Sequence, residues 1–211
     1  MPVQGDSSGD PDLLSFLKND LKVRYRKPGN VYLGLVHRLD RPVGGVMVFA
    51  KTSKAAARLS AQIRDFQFGK YYLAVARGLM KSREGRLTNY LIKDYRRNLV
   101  TVAPDPNTPG AKEALLDYRV IGEREGLSLL SISLGTGRSH QIRVQLAAIG
   151  HPLYGDQKYG PNLNRPGEQL ALYSFKVRFQ HPTTKEPLEF KTAPPLDYPW
   201  TLFAEGFRGE L

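Results

Sequence analysis

Residues 115–134 read LLDYRVIGEREGLSLLSISL, two runs rich in Leu, Ile, Val and Tyr (115–122 and 127–134) joined by the polar turn EREG. Apolar runs of that length around a turn ending in Gly predict an antiparallel hairpin. The same signature recurs on both sides of this stretch. Upstream, 87–93 and 99–103 bracket the basic stretch KDYRRN; downstream, 170–180 and 188–191 flank HPTTKEP. Nearer the start, 31–36 and 46–50 are β-branched apolar runs broken by the loop RLDRPVGG, and 72–76 is a further strand ended by Gly78. Helical periodicity is confined to three places. The first is 13–21, opened by Asp10 or Asp12. In the second, capped by Thr52 or Ser53, Leu59, Ile63 and Phe66 fall on one buried stripe. In the third, capped by Ser139, Ile142, Leu146 and Ile149 make the stripe and Gly150 takes the left-handed position past the end. Strands outnumber helices and come as hairpins, without βαβ alternation. The expected fold class is therefore α+β, a mostly antiparallel mixed sheet with flanking helices.

The 20 Gly and 15 Pro are spread along the 211 residues, with no linker, repeat or low-complexity tract. One domain over 1–211 is expected. With 31 Lys and Arg against 20 Asp and Glu, the formal charge is +11, which favours a polyanionic partner, nucleic acid before acidic protein or lipid. The absence of Cys excludes a disulfide framework, a thiolate nucleophile and cysteine-ligated metal. The four His lack metal-binding helical spacing, so no metal site is expected. No apolar run reaches the roughly 18–20 residues that span a bilayer, and MPVQGDSSGD lacks a signal-peptide pattern. No membrane association and a cytoplasmic location are expected.

Three constellations carry potential chemistry. In His37-Arg38-Leu39-Asp40-Arg41-Pro42-Val43-Gly44-Gly45, a carboxylate sits between two guanidinium groups on a loop that Pro42 stiffens. A carboxylate so placed is suited to nucleophilic attack more than to donating a proton; an Arg–Asp–Arg surface ion cluster has the same spacing. In Gly135-Thr136-Gly137-Arg138-Ser139-His140-Gln141-Ile142-Arg143, a Gly-rich turn runs into a helix start, an anion-binding arrangement. There His140 and Arg143 share the face away from the apolar stripe, which equally describes an ordinary solvated helix face. In Lys70-Tyr71-Tyr72-Leu73-Ala74-Val75, alternation puts Tyr72 and Ala74 on one side of a strand and Tyr71, Leu73 and Val75 on the other. A polar, aromatic loop, HPLYGDQKYG (151–160), follows the last helix and by itself says only loop.

In this order, HRLDRPVGGVMVFAKT (37–52), KYYLAV (70–75), TGRSHQIRVQL (136–146) and GHPLYGDQKYG (150–160) resemble the motifs of the RluA-type family of RNA pseudouridine synthases. The closing segment 170–195 is similar as well, so the resemblance is collinear over nearly the whole chain. It implies the pseudouridine-synthase catalytic fold and isomerisation of a uridine in structured RNA, ribosomal or transfer, after base flipping. The family's catalytic aspartate, tyrosine and arginine fall on Asp40, Tyr72 and Arg143. RNA binding falls to Arg38, Arg41, Lys70, Arg138 and His140, with Arg96 and Arg97 as further phosphate contacts. Arg143 is expected to pair with Asp40, Tyr72 to stack on uracil and help remove the C5 proton, and Arg38 to prop the space the nucleotide leaves. The aspartate would attack C1′ or C6, or assist loss of the C2′ proton. Neither a metal nor an organic cofactor is expected, and a monomer is the simplest state.

Two departures stand out. The family's T-S-G is here Val43-Gly44-Gly45, which removes two hydroxyls and keeps the last glycine. Family members also carry an N-terminal strand ending N-K-P-A/S-G before the segment that reads PVQGD; that strand is expected to be missing, and no S4-like domain is expected. The competing reading is a non-catalytic RNA-binding or ribosome-assembly protein with the same fold. A glycosidase or nucleosidase is disfavoured, because no second acid accompanies Asp40.

Overall fold

The computed structural model describes residues 1–5, 9–207 and 209–210. Along the chain lie α1 (Leu13–Arg24), β1 (Gly34–Leu35), β2 (Gly44–Gly45), β3 (Phe49–Ala50), α2 (Ser53–Arg64), β4 (Gly69–Arg77), β5 (Glu84–Asp94) and β6 (Leu99–Val102). They are followed by β7 (Lys112–Arg124), β8 (Leu127–Leu134), α3 (Gln141–Ala148), β9 (Leu172–Gln180), β10 (Pro187–Lys191) and a 3-10 turn at Trp200–Phe203. The main sheet runs β10-β9-β4-β8-β7-β5-β6, antiparallel throughout, with β2 joining β9 in parallel. All three predicted hairpins are present, as β5–β6, β7–β8 and β9–β10. The architecture is α+β with a mostly antiparallel mixed sheet.

β4 lies centrally and is buried on both faces, with the alternation its sequence predicts. Tyr72, Ala74 and Ala76 join the cluster containing Leu116, Leu130, Ile132 and the α3 residues Ile142 and Leu146. Leu73 and Val75 join the opposite cluster with Phe175, Trp200, Phe203 and Phe207, and Tyr71 packs against it. Burial of this kind contributes roughly 25 cal/mol for each Å² of apolar surface removed from water. The register between β4 and β9 steps from Tyr71↔Lys176 to Tyr72↔Ser174, so Phe175 is bulged, and its carbonyl accepts the Thr192 N–H at 2.9 Å. Bulges re-aim side chains; this one falls beside Tyr72.

Several local expectations are corrected. The runs at 31–36 and 46–50 pair only as β1 and β3, two residues each, because the segment between them is tied to β9 instead. α1 is capped by Asp12, whose carboxylate accepts the Ser15 N–H at 2.9 Å, and α2 by Thr52, whose hydroxyl accepts from Ala55 at 3.1 Å. α2 ends at Arg64, so Phe66 lies past it, 72% exposed, and is not part of the buried stripe. Ser139 does not cap α3. The residue before the helix, His140, has a left-handed φ of 52°, and Gln141 Oε1 accepts from the Arg138 N–H at 2.9 Å and the Thr136 hydroxyl at 2.7 Å. α3 has no solvated face over Gln141–Leu146: those residues, Arg143 included, are buried, whereas Ile149, expected on the apolar stripe, is 42% exposed. The amide nitrogen of one such residue is held internally: Gln145 Nε2 reaches Asn89 Oδ1 at 2.9 Å and the carbonyls of Leu87 and Ala114, while Gln145 Oε1 is buried without a partner. Among the described residues, no helix is long and apolar enough to cross a membrane.

Candidate active site

The motif loop is folded by three devices. His37 Nε2 accepts the Val48 N–H at 3.1 Å, so the histidine fastens the two ends of the loop to each other, and its ring packs on Phe68 with centroids 5.5 Å apart. Burial, reinforced by the Lys70 charge, lowers the His37 pKa to about 4, which keeps Nε2 an acceptor. At the tip, the Val43 N–H donates to the Asp40 carbonyl at 2.9 Å, closing a turn over Arg41 and Pro42. The far side is stitched to β9: the Val46 N–H donates to the Ser174 carbonyl at 2.8 Å, and the Ser174 hydroxyl donates to the Val46 carbonyl at 3.2 Å. Gly45 has φ 126°, and a Cβ there would sit 2.1 Å from the Ser174 oxygen. No other residue fits so close an approach without displacing backbone. Ser174 is also the register partner of Tyr72, so the loop and the β4 tyrosine are brought together over one residue of β9.

Leu39 anchors the loop in the same apolar cluster as Tyr72, while its neighbours Arg38 and Asp40 face a cleft of about 520 Å³. The lining also includes Lys70, Tyr72, Arg138, His140 and Arg143. Among the described residues Asp40 is its single carboxylate, against the cations Arg38, Arg64, Lys70, Arg138 and Arg143. Arg41 is not part of the lining and ion-pairs with Asp10. Arg96 and Arg97 sit apart, on the turn of the β5–β6 hairpin, where the Asp94 carboxylate accepts both their N–H groups.

Arg143 is held as a fork. Its Nε and Nη2 donate to the two carboxylate oxygens of Asp156, each at 2.8 Å, and its Nη1 lies 3.5 Å from Asp40 Oδ2. The Asp156 side chain has no exposed surface and that of Arg143 is 8% exposed, compared with 26% for Asp40. Burial opposes the Arg143 charge, but the hydrogen bonds and charge of Asp156, with Asp40 adding to them, outweigh it and raise its pKa. Asp156 Oδ1 also accepts the N–H groups of Lys158 at 3.0 Å and Tyr159 at 3.1 Å. The Asn164 amide ties the same loop together through Gly155 N–H and the carbonyls of Leu153, Asp156 and Gly160. Tyr159 closes the cluster. The Arg143 guanidinium lies 5.1 Å from its ring centroid, and its hydroxyl accepts the Val100 N–H at 3.0 Å and meets His140 Nδ1 at 2.6 Å. One hydrogen bridges the phenol and Nδ1, and the imidazole tautomer decides which of the two donates it. Burial, the largest influence, lowers the His140 pKa despite the opposing charge of Asp40, which favours the neutral imidazole.

Tyr72 is 7% exposed, and burial first, then the Asp40 charge, raise its pKa despite the Ser174 hydroxyl, so its phenol is protonated. Burial and then Arg138 lower the Lys70 pKa; its Nζ lies 2.8 Å from where a Gly137 Cβ would sit, so the 135–138 turn packs directly on it. Arg138 Nε donates to the Glu113 carbonyl at 2.8 Å.

Seven of the ten sequence candidates thus line one cleft, and Arg41, Arg96 and Arg97 do not. Sequence reasoning missed Asp156, Tyr159, Asn164 and Ser174. For Asp156 a signal existed in GDQKYG: a buried arginine needs a carboxylate, and the nearest acid following α3 is Asp156.

A family model described as RNA pseudouridylate synthase matches residues 1–148. The chain is 36% identical over 168 residues to the "Uncharacterized RNA pseudouridine synthase YhcT" of Bacillus subtilis (strain 168), covering 77% of this chain and 53% of that one. It is 33% identical over 173 residues to the "Ribosomal large subunit pseudouridine synthase C" of Vibrio vulnificus (strain CMCP6), covering 79% and 53%. Among solved structures, "Human RNA Pseudouridylate Synthase Domain Containing 1" superposes with a TM-score of 0.66 at 26% identity, over 86% of this chain and 76% of that one. The chain belongs to the RNA pseudouridylate synthase family, in its RluA-type branch. It spans about half the length of the curated relatives it matches.

Proposed function

We propose that this chain isomerises a uridine in structured RNA to pseudouridine, with Asp40 as the nucleophile. The N1–C1′ bond breaks, the uracil turns while still bound, and C5 is joined to C1′. N1 gains a proton and C5 loses one, so the balance calls for no oxidant, group donor or hydrolytic water. The observation that carries the reading is the Asp40 carboxylate beside the Arg143 fork, in a cleft with Tyr72 and, among the described residues, no second acid. A single carboxylate suits intramolecular transfer and not the paired acids of glycoside hydrolysis.

In this reading Arg143 fixes the orientation of Asp40, as Asp156 fixes Arg143. The Tyr72 ring stacks on the uracil. Because its phenol is protonated, taking the C5 proton through the hydroxyl requires its own hydrogen to be passed on in the same step. A uridine inside a stem must be extruded, which costs a few kcal/mol, and Arg38, exposed beside Asp40, is placed to fill the vacated stack. Lys70, Arg138 and His140 contact phosphate or base oxygens. The step requires neither metal nor cofactor, and a cleft built by one chain suits a monomer. The relatives named for the large ribosomal subunit make its RNA the first substrate to test.

The test is to map pseudouridine transcriptome-wide in cells with the gene, without it, and with an Asp40→Asn copy. The expected result is a site lost with the gene and restored by the wild type alone. Restoration by Asp40→Asn overturns the nucleophile, and no lost site overturns the function.

A further inference from the structure

Phe66 sits where a glycine normally ends a helix. The Gln67 N–H returns to the Gln62 carbonyl at 2.8 Å and the Phe66 N–H to the Ile63 carbonyl at 3.4 Å, the paired closure that places the residue between them in the left-handed region. Phe66 has φ 57° there. For a bulky side chain this is a genuine outlier and a standing cost. Core packing does not offset it: the ring is 72% exposed and belongs to none of the apolar clusters, whereas Leu59 and Ile63 of the same helix pack with Phe68 and Phe179. Phe66 does line the cleft, as does the 74%-exposed Arg64, whose Nε lies 3.5 Å from the exposed Asp65 carboxylate and whose other nitrogens are left for a phosphate. Strained residues cluster where the strain serves a site. An exposed aromatic ring next to a guanidinium, on the rim of a cationic cleft, has the chemistry of a single-strand platform, where a base stacks on the ring and the cation holds its phosphate.

We propose that Phe66 is such a platform: an unpaired base of the substrate RNA, next to the uridine in the cleft, stacks on its ring, with Arg64 on the adjoining phosphate. The proposal rests on the RNA-modifying reading above and adds a determinant outside the sequence motifs. Phe66 positions the RNA and does not act on the reacting atoms.

Phe66→Gly supplies the residue the backbone asks for and removes the ring. It is expected to unfold at the same or a higher temperature than the wild type while losing affinity about fivefold or more for a fluorescently labelled RNA hairpin with an oligouridine loop. Pseudouridine formation in total RNA from cells lacking the gene falls in proportion at limiting RNA and recovers at saturating RNA. Phe66→Trp keeps near-wild-type affinity. Its new indole, unlike the buried Trp200, is exposed, and its emission is quenched by the hairpin, while a Leu79→Trp control at the far end of β4 is not. Affinity within twofold of wild type for Phe66→Gly, or equal quenching of both tryptophans, overturns the proposal. Phe66→Trp combined with Asp40→Asn separates the two readings: quenching there alongside a wild type that forms no pseudouridine leaves the platform standing and removes the activity. Turnover insensitive to Phe66→Gly does the reverse.

Discussion

Arg143 is the residue on which the site depends, and Asp156 is what makes it possible. A guanidinium taken out of water costs several kcal/mol unless it is paired and fully hydrogen-bonded; the two 2.8 Å bonds to Asp156 meet that need and leave Nη1 for Asp40. Asp156 touches no reacting atom, so its loss acts through Arg143. Asp156→Asn is expected to lower folding stability by about 3 kcal/mol, the lower end for breaking a buried pair. It should also slow turnover at saturating RNA by at least tenfold, with little change in RNA affinity. Urea unfolding together with single-turnover rates checks this; an unchanged rate with lowered stability shows that the pair is only structural. That Arg38, Asp40, Tyr72 and Arg143 belong to one place was legible because their motifs are local in sequence. Asp156 was not, because its role is defined by a partner on another element and GDQKYG reads alone as a turn.

At the level of elements, the Asp40 loop is a separate part fastened at its ends by His37 and along its side by β9. The His37 bond to Val48 requires an unprotonated Nε2. Folding lowers that pKa from 6.5 to about 4, so between those values the unfolded chain binds a proton that the folded one does not. Stability supplied by the clamp is therefore complete above about pH 6.5 and lost as the pH falls toward 4, by about 2 kcal/mol between pH 7 and pH 5. Urea midpoints at those two pH values should fall further apart for the wild type than for His37→Gln. Equal shifts would place the acid sensitivity elsewhere. The hairpins were readable because alternation and turn chemistry are local. β1 and β3 proved shorter than their apolar runs, since stitching to β9 decides the path of that loop, and α3 proved buried on its polar side, since Asp156 in the later loop meets Arg143 while β5 and β7 receive Gln141 and Gln145. The end of α2 misled for a different reason: Phe66 continued the apolar spacing, but the backbone turns left-handed there.

Across the whole molecule, the +11 charge is unevenly used. Arg77 with Glu168, Arg83 with Glu123 and Arg86 with Asp117 are paired away from the cleft, while Arg38, Lys70 and Arg138 gather around its single acid. Such a field draws in a polyanion and weakens with salt. It cannot by itself distinguish a binder from a catalyst, and the basic composition was equally mute on that point. The distinction lies in Asp40 and is read most directly at C5 of uracil, whose hydrogen leaves only when the base is rejoined through that carbon. RNA carrying tritium at C5 of its uridines, prepared from cells lacking the gene, should release tritium to water when mixed with the purified wild-type chain, in step with pseudouridine formed. The Asp40→Asn chain should bind the same RNA and release none. Release by Asp40→Asn at the wild-type rate, or RNA binding by the wild type with no release at all, would contradict the account.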